Sequence, residues 1–156
     1  MSLDQADLIG KIVLSSSFGA GKIVEITKMS GDRHFLVIES IGNNVKNFVP
    51  MEDNLTYRYI SSKDDLESLL GKLSKKVSSE EFDSKKDRVN YFKQEAKVQD
   101  LESVAQLLKE LHGLEDRNTA EEQIFNKLID SLALEYSLVM GQNVDSAREV
   151  VVSSLI

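Results

Sequence analysis

The chain has 156 residues, 41% of them hydrophobic and 29% charged, with a net charge of −7 and no cysteine. That is enough apolar material for one medium domain or two small ones with a real core, and too much negative charge for indiscriminate nucleic-acid binding. The missing cysteines exclude disulfides, thiolate metal sites and thiol nucleophiles.

No apolar run approaches the roughly 20 residues that span a bilayer. The amino terminus, MSLDQADLIG, has neither a basic region nor a hydrophobic signal core, so a soluble cytoplasmic protein is expected. The polar residues through Asp7 lack a period and predict a frayed tail.

Residues 8–50 read as four short strands. Ile12, Leu14, Ile23, Ile26, Phe35, Val37, Val45 and Val49 are strand formers in short runs, separated by turn residues. A first strand over 9–15 meets a turn containing Gly19 and Gly21, and a second runs over 22–29. Ser30-Gly31-Asp32 turns the chain into a third strand over 33–40. Phe35 and Val37 fall on one face of it, Leu36 and Ile38 on the other, so a central position is expected. Gly42-Asn43-Asn44 leads to a strand over 45–49, which Pro50, the only proline, ends; residues 57–60 add a fifth. Tight sequential turns imply antiparallel pairing, and strands of about five residues are expected to curl into a small barrel that hides its edges.

The composition changes at Ser61-Ser62, which divides the chain into 1–61 and 62–156. Six bases face seven acids before that boundary and 13 bases face 19 acids after it, so the second part carries most of the negative charge. Ser62-x-x-Asp65 caps a first helix bearing Leu66, Leu69, Leu70 and Leu73; after a polar connector over 75–83, Ser84-x-x-Asp87 caps a second through about Val98, with Val89, Phe92 and Ala96 at helical spacing. Asp100 opens a third helix with a stripe of Leu101, Val104, Ala105, Leu108 and Leu111, stopped by Gly113. Thr119-x-x-Glu122 opens a fourth, the core helix, with Phe125, Leu128, Ile129, Leu132, Tyr136 and Val139 before Gly141. Asp145 starts a last helix whose β-branched residues need docking to hold it. A helical bundle is expected.

Catalytic chemistry is not visible in these residues. Gly19-Ala20-Gly21-Lys22 resembles the tail of a phosphate loop, but Ser16 and Ile23 replace the glycine and hydroxyl that such a loop needs, and a strand follows it. His34 and His112, the only histidines, fall in different predicted domains with no second ligand at metal spacing, so neither a metal nor a cofactor is expected. Acidic pairs such as Glu121-Glu122 at helix starts complement the dipole. The most informative charge feature is Lys85, Lys86, Arg88, Lys93 and Lys97, five bases against Asp87 and Glu95, interleaved with Phe82, Tyr91 and Phe92. A solvated helix face explains this cluster, and so does a phosphate-backbone contact; the residues leave both open.

The order of GKIVLSSSFGAGKIVEI, FLVIES and VKNFVP, followed by DLESVAQLLKEL and NTAEEQIFNKLIDSLALEYS, resembles the CarD/CdnL family of bacterial transcription regulators over nearly the whole chain. The resemblance implies an α+β fold: a small amino-terminal Tudor-like antiparallel β-barrel that docks on the β subunit of RNA polymerase, then an all-α bundle that touches promoter DNA and favours the open complex. It implies a non-enzymatic, monomeric protein. On the barrel it points to Lys28, Arg33, Lys46 and Phe48 as polymerase-binding, Phe48 standing in an arginine's place. On the helices it points to Phe82, Lys85, Lys86, Arg88 and Lys93 as DNA-binding. The family's wedge tryptophan is absent: ungapped matching puts Lys85 at its position, and one inserted residue brings Phe82 there. The other expectation is a protein-protein adaptor that binds through the barrel and acidic helices without touching DNA.

Overall fold

The computed structural model of this chain describes residues 7–15, 18–52, 57–75, 81–97 and 100–155. Residues 1–6 of the predicted frayed tail over 1–7, part of the first turn at 16–17, most of the connector at 76–80 and the predicted end of the second helix at Val98 lie outside the described residues, and Asp7 is helical. The chain forms two compact units, Met1–Ile60 and Ser61–Ile156.

The first unit is a five-stranded antiparallel sheet: β1 (Ile12–Ser15), β2 (Gly19–Met29), β3 (Arg33–Ser40), β4 (Lys46–Pro50) and β5 (Arg58–Tyr59), in the order β4-β3-β2-β1-β5. Among the described residues no ladder joins β5 to β4, so the expected barrel is not closed. The two residues of β5 are too few to carry pairing onward. β2 also departs from expectation. Gly19 and Gly21 pair with Ser15 and Val13 inside the ladder instead of forming the turn, which extends β2 to 11 residues.

β2 is bulged between Ile23 and Glu25, leaving Val24 partly exposed. The extra residue lets Ile23 and Ile26, three apart on β2, face Ile38 and Leu36, two apart on β3. These residues, with Val13 and Tyr57, build the sheet's apolar cluster on one face. Val37 is also buried, on the opposite face, where its cross-strand neighbours are Glu25 and Phe48.

The second unit holds α1 (Lys63–Leu73), α2 (Lys85–Glu95), α3 (Leu101–His112), α4 (Thr119–Met140) and α5 (Val144–Ser154). Each start is capped by a side chain: Ser62, Ser84, Asp100, Asn118 and Asn143 accept from the N–H three residues on. The fourth cap corrects the sequence expectation by one residue. Asn118 and Glu121 form the capping box, with Thr119 as the first helical residue, and α5 starts from Asn143 instead of Asp145.

Gly141 takes φ 70° and ends α4 in the left-handed conformation that a side chain disfavours. Gly113, expected to stop α3 the same way, has φ −74°. The carbonyls there are satisfied by Arg117, whose Nη1 donates to Leu111 O at 2.8 Å and Leu114 O at 3.3 Å. Leu66, Leu108, Leu111 and Leu132 anchor the core, and Ala147 and Val151 dock α5 on it.

Candidate functional site

β4 is an edge strand, and its hydrogen-bond phase decides what it presents. Ser40 N donates to Val45 O at 2.8 Å and Met51 N donates to His34 O at 3.0 Å. With the Leu36–Val49 and Ile38–Asn47 pairs in the same register, residues 45, 47, 49 and 51 bond inward to β3. The alternate residues, Lys46, Phe48 and Pro50, turn their backbone polar groups away from the sheet, and Pro50 brings no N–H there.

Phe48 is 54% exposed and lies across from Val37; Pro50 lies across from Phe35 and Lys46 across from Glu39. Arg33 shares this face through β3. Its guanidinium sits 5.3 Å from the Phe35 ring centroid and donates to Glu52 Oε1 from Nε at 2.9 Å, with Nη2 2.8 Å from the same oxygen. The backbone N–H of Glu52 and the Arg33 hydrogen bond hold the Glu52 carboxyl below its ordinary value.

Of the four residues predicted to bind polymerase, the sheet gathers Arg33, Lys46 and Phe48 on one face. Lys28 pairs with His34, whose side of β3 is that of Leu36 and Ile38, and forms an ion pair with Asp32 at 2.9 Å. Lys28 is therefore on the opposite face. Phe35, Pro50 and Glu52 join the group; period-two counting along β3 from Arg33 reaches Phe35 and Val37 directly, whereas Glu52 lies beyond the strand.

On the helical unit the five residues predicted to bind DNA separate. Lys86 and Lys93 are exposed on one face of α2 with Asn90 between them, and Lys97 follows just past the helix end, also exposed. Among the described residues neither Lys86 nor Lys93 forms an ion pair. Arg88 turns inward: Nε and Nη2 donate to Glu121 Oε2 and Oε1 at 2.6 and 2.8 Å, and Nη1 donates to Asp116 Oδ1 at 3.1 Å. Its side chain is 12% exposed and that of Glu121 is fully buried. Lys85, 70% exposed, reaches the same Asp116 at 3.4 Å.

These contacts move charge equilibria in the expected directions. Burial pushes the Glu121 carboxyl up, but hydrogen bonds from Arg88 and Asn118 N, with the guanidinium charge, outweigh it and hold the carboxyl below its ordinary value. The Arg88 hydrogen bond, then that of Lys85, lowers Asp116, and Glu121 raises Arg88.

Phe82 is half-buried, with its ring 5.1 Å from that of Tyr91 and 6.3 Å from that of Phe92. Tyr91 in turn donates to the buried Glu110 carboxylate at 3.1 Å. Among the described residues, Glu110, Glu121 and Glu135 are the buried carboxylates, and sequence reasoning did not single them out as core residues. Glu135 accepts from Ser61 N at 2.8 Å and so ties the start of this unit to α4. Their partners lie far away in the chain, so periodicity carried no signal for them.

His112 ends α3 with its ring 6.3 Å from that of Phe125, and among the described residues no cluster of three or more potential ligands is arranged to hold a metal. No helix among the described residues is long and apolar enough to cross a membrane. No protein-family model matches the chain, and no characterised relative matches it.

Proposed function

We propose that this chain is a bacterial transcription regulator of the CarD/CdnL type, which docks on the β subunit of RNA polymerase through its sheet and contacts promoter DNA through α2. The observation that carries the docking half is the β4 edge, where outward backbone groups at Lys46 and Phe48 lie beside an exposed phenylalanine and the Arg33–Glu52 pair. An extended segment of the partner adds to such an edge through main-chain hydrogen bonds, while side-chain contacts at Phe48 select it. On this reading the sheet is a Tudor-like module curled toward a barrel.

The helical unit then reaches DNA with Lys86 and Lys93, through phosphates and without base readout. Binding that favours the melted promoter over the closed one shifts initiation by the difference in affinity, tenfold for about 1.4 kcal/mol. No enzymatic step is required.

A pull-down with the isolated polymerase β subunit tests the docking half: wild type is retained and Phe48→Ala loses about tenfold or more in affinity, as expected for an anchor in an interface centre. Retention that is equal for both proteins, or absent for both, removes the proposal. The second reading, an adaptor with no DNA contact, draws on the inward pairing of Arg88 and Lys85 and on the net charge of −7. Binding of a promoter duplex that weakens steeply with salt rejects it.

A further inference from the structure

We propose that Arg88 is a positioning residue: its guanidinium, locked on Glu121 and Asp116, sets the rotation of α2 about its own axis and so turns Lys86 and Lys93 outward as one polyanion-binding stripe. The inference rests on the DNA-contacting half of the function proposed above and names the device that organises it.

The apolar hold on α2 is slight. Phe92 is the only residue of this helix that is fully buried, so apolar packing fixes its rotation weakly. Polar anchors supply the rest. Arg88 engages both oxygens of Glu121, and its Nη2 also donates to the Asp116 carbonyl at 3.3 Å. Glu121 is itself immobilised, because Oε1 accepts from Asn118 N at 3.1 Å in the capping box of α4. The fork is therefore referenced to the first turn of the longest helix. Tyr91 adds a second anchor, toward Glu110 on α3.

At about 100° per residue, Lys86 and Lys93 lie about 140–160° around the helix from Arg88. A residue buried on one side thus decides which side the lysines occupy. A planar two-donor fork resists rotation in a way that a lysine's single point of charge does not.

The experiment is a titration of the full chain with a fluorescent DNA duplex carrying a short unpaired stretch, with thermal unfolding recorded for each variant. Glu121→Gln keeps a residue suited to the capping box and makes the protein more positive by one charge. If Arg88 contacted phosphate directly, releasing it from Glu121 would strengthen binding. The proposal instead expects Glu121→Gln to weaken binding about fivefold, and Arg88→Lys to do the same at unchanged charge. Affinities unchanged or tightened in both variants overturn the proposal, even if the melting temperature falls, because a merely stabilising ion pair leaves the affinity of the folded protein alone. If Glu121→Gln does not fold, Asp116→Asn is measured with the same expectation. The double variant Lys86→Gln/Lys93→Gln separates the levels: loss of binding there with no loss in the clamp variants removes only the clamp. No loss in the double variant removes the DNA reading and the clamp together.

Discussion

Among the described residues, five buried side chains form the apolar cluster of the sheet unit and β4 leaves backbone groups facing outward, whereas the helical unit clusters 15 buried residues and caps its five described helix starts. The two units handle polar groups in opposite ways. The sheet keeps hydrogen-bonding capacity along an edge, beside an exposed aromatic ring. The helical unit consumes its capacity internally: Arg88, Arg117 and Arg148 are all engaged with carboxylates of their own unit. A basic cluster in sequence therefore overstates the charge available to a partner when its members sit beside acidic loops, and an edge strand with few charges understates it.

The largest expected effect tests the difference in core size. Leu108→Ala, at a fully buried position in the larger core, should lower the stability of the helical unit by about 4 kcal/mol. Leu36→Ala in the small sheet cluster should cost nearer 2–3 kcal/mol, because a thin layer collapses more readily around a void. Denaturant unfolding with hydrogen exchange in α3 and β3 reads both. Equal losses would erase the contrast.

A Cβ at Gly21 would collide with Ile38 Cγ2 and approach Glu39 O at 3.2 Å, so Gly21→Ala should destabilise the sheet by about 1–3 kcal/mol. A neutral result in the same unfolding assay would mean that β2 and β3 separate freely at this point.

Acid should also act differently on the two units. Glu121 has its folded carboxyl held below the ordinary value near 4.5, so its contribution is present above that value and is lost as pH falls through the lower folded one. Helical-unit stability should decline below about pH 4.5, and Glu121→Gln should flatten that decline. Glu52 in the sheet is shifted the same way but lies in solvent, so Glu52→Gln should leave the profile nearly unchanged. The smallest stability effect is expected for Phe48→Ala, within about 0.5 kcal/mol by thermal unfolding, since its ring is already exposed. A large loss would show that Phe48 holds the sheet together and is not kept for a partner.

Much of the fold was legible. Helical spacing gave the leucine stripes of α1 and α3, and Ser62, Ser84 and Asp100 capped where their patterns predicted. The α4 box was displaced by one residue because Asn118 and Thr119 are both good caps and only geometry chose the amide. Ladder extent was less legible: Gly19 and Gly21 look like turn residues, yet pair within β2. Of the residues singled out on the sheet, Arg33, Lys46 and Phe48 share one face, while Lys28 lies on the other by strand alternation.

Features that depend on only a few neighbouring residues follow from the chain alone: the switch from strand to helix at Ser61, most of the caps, the buried stripes and the excess of acid in the second part. Long-range packing selected β4 as the longer of the two edge strands and set which bases face solvent. Arg88 and Lys86 are two residues apart and chemically alike, yet one is locked on a glutamate 33 residues away and the other faces solvent. That outcome depends on how helices rotate against one another to bury a few large side chains, and no local pattern along the chain encodes it.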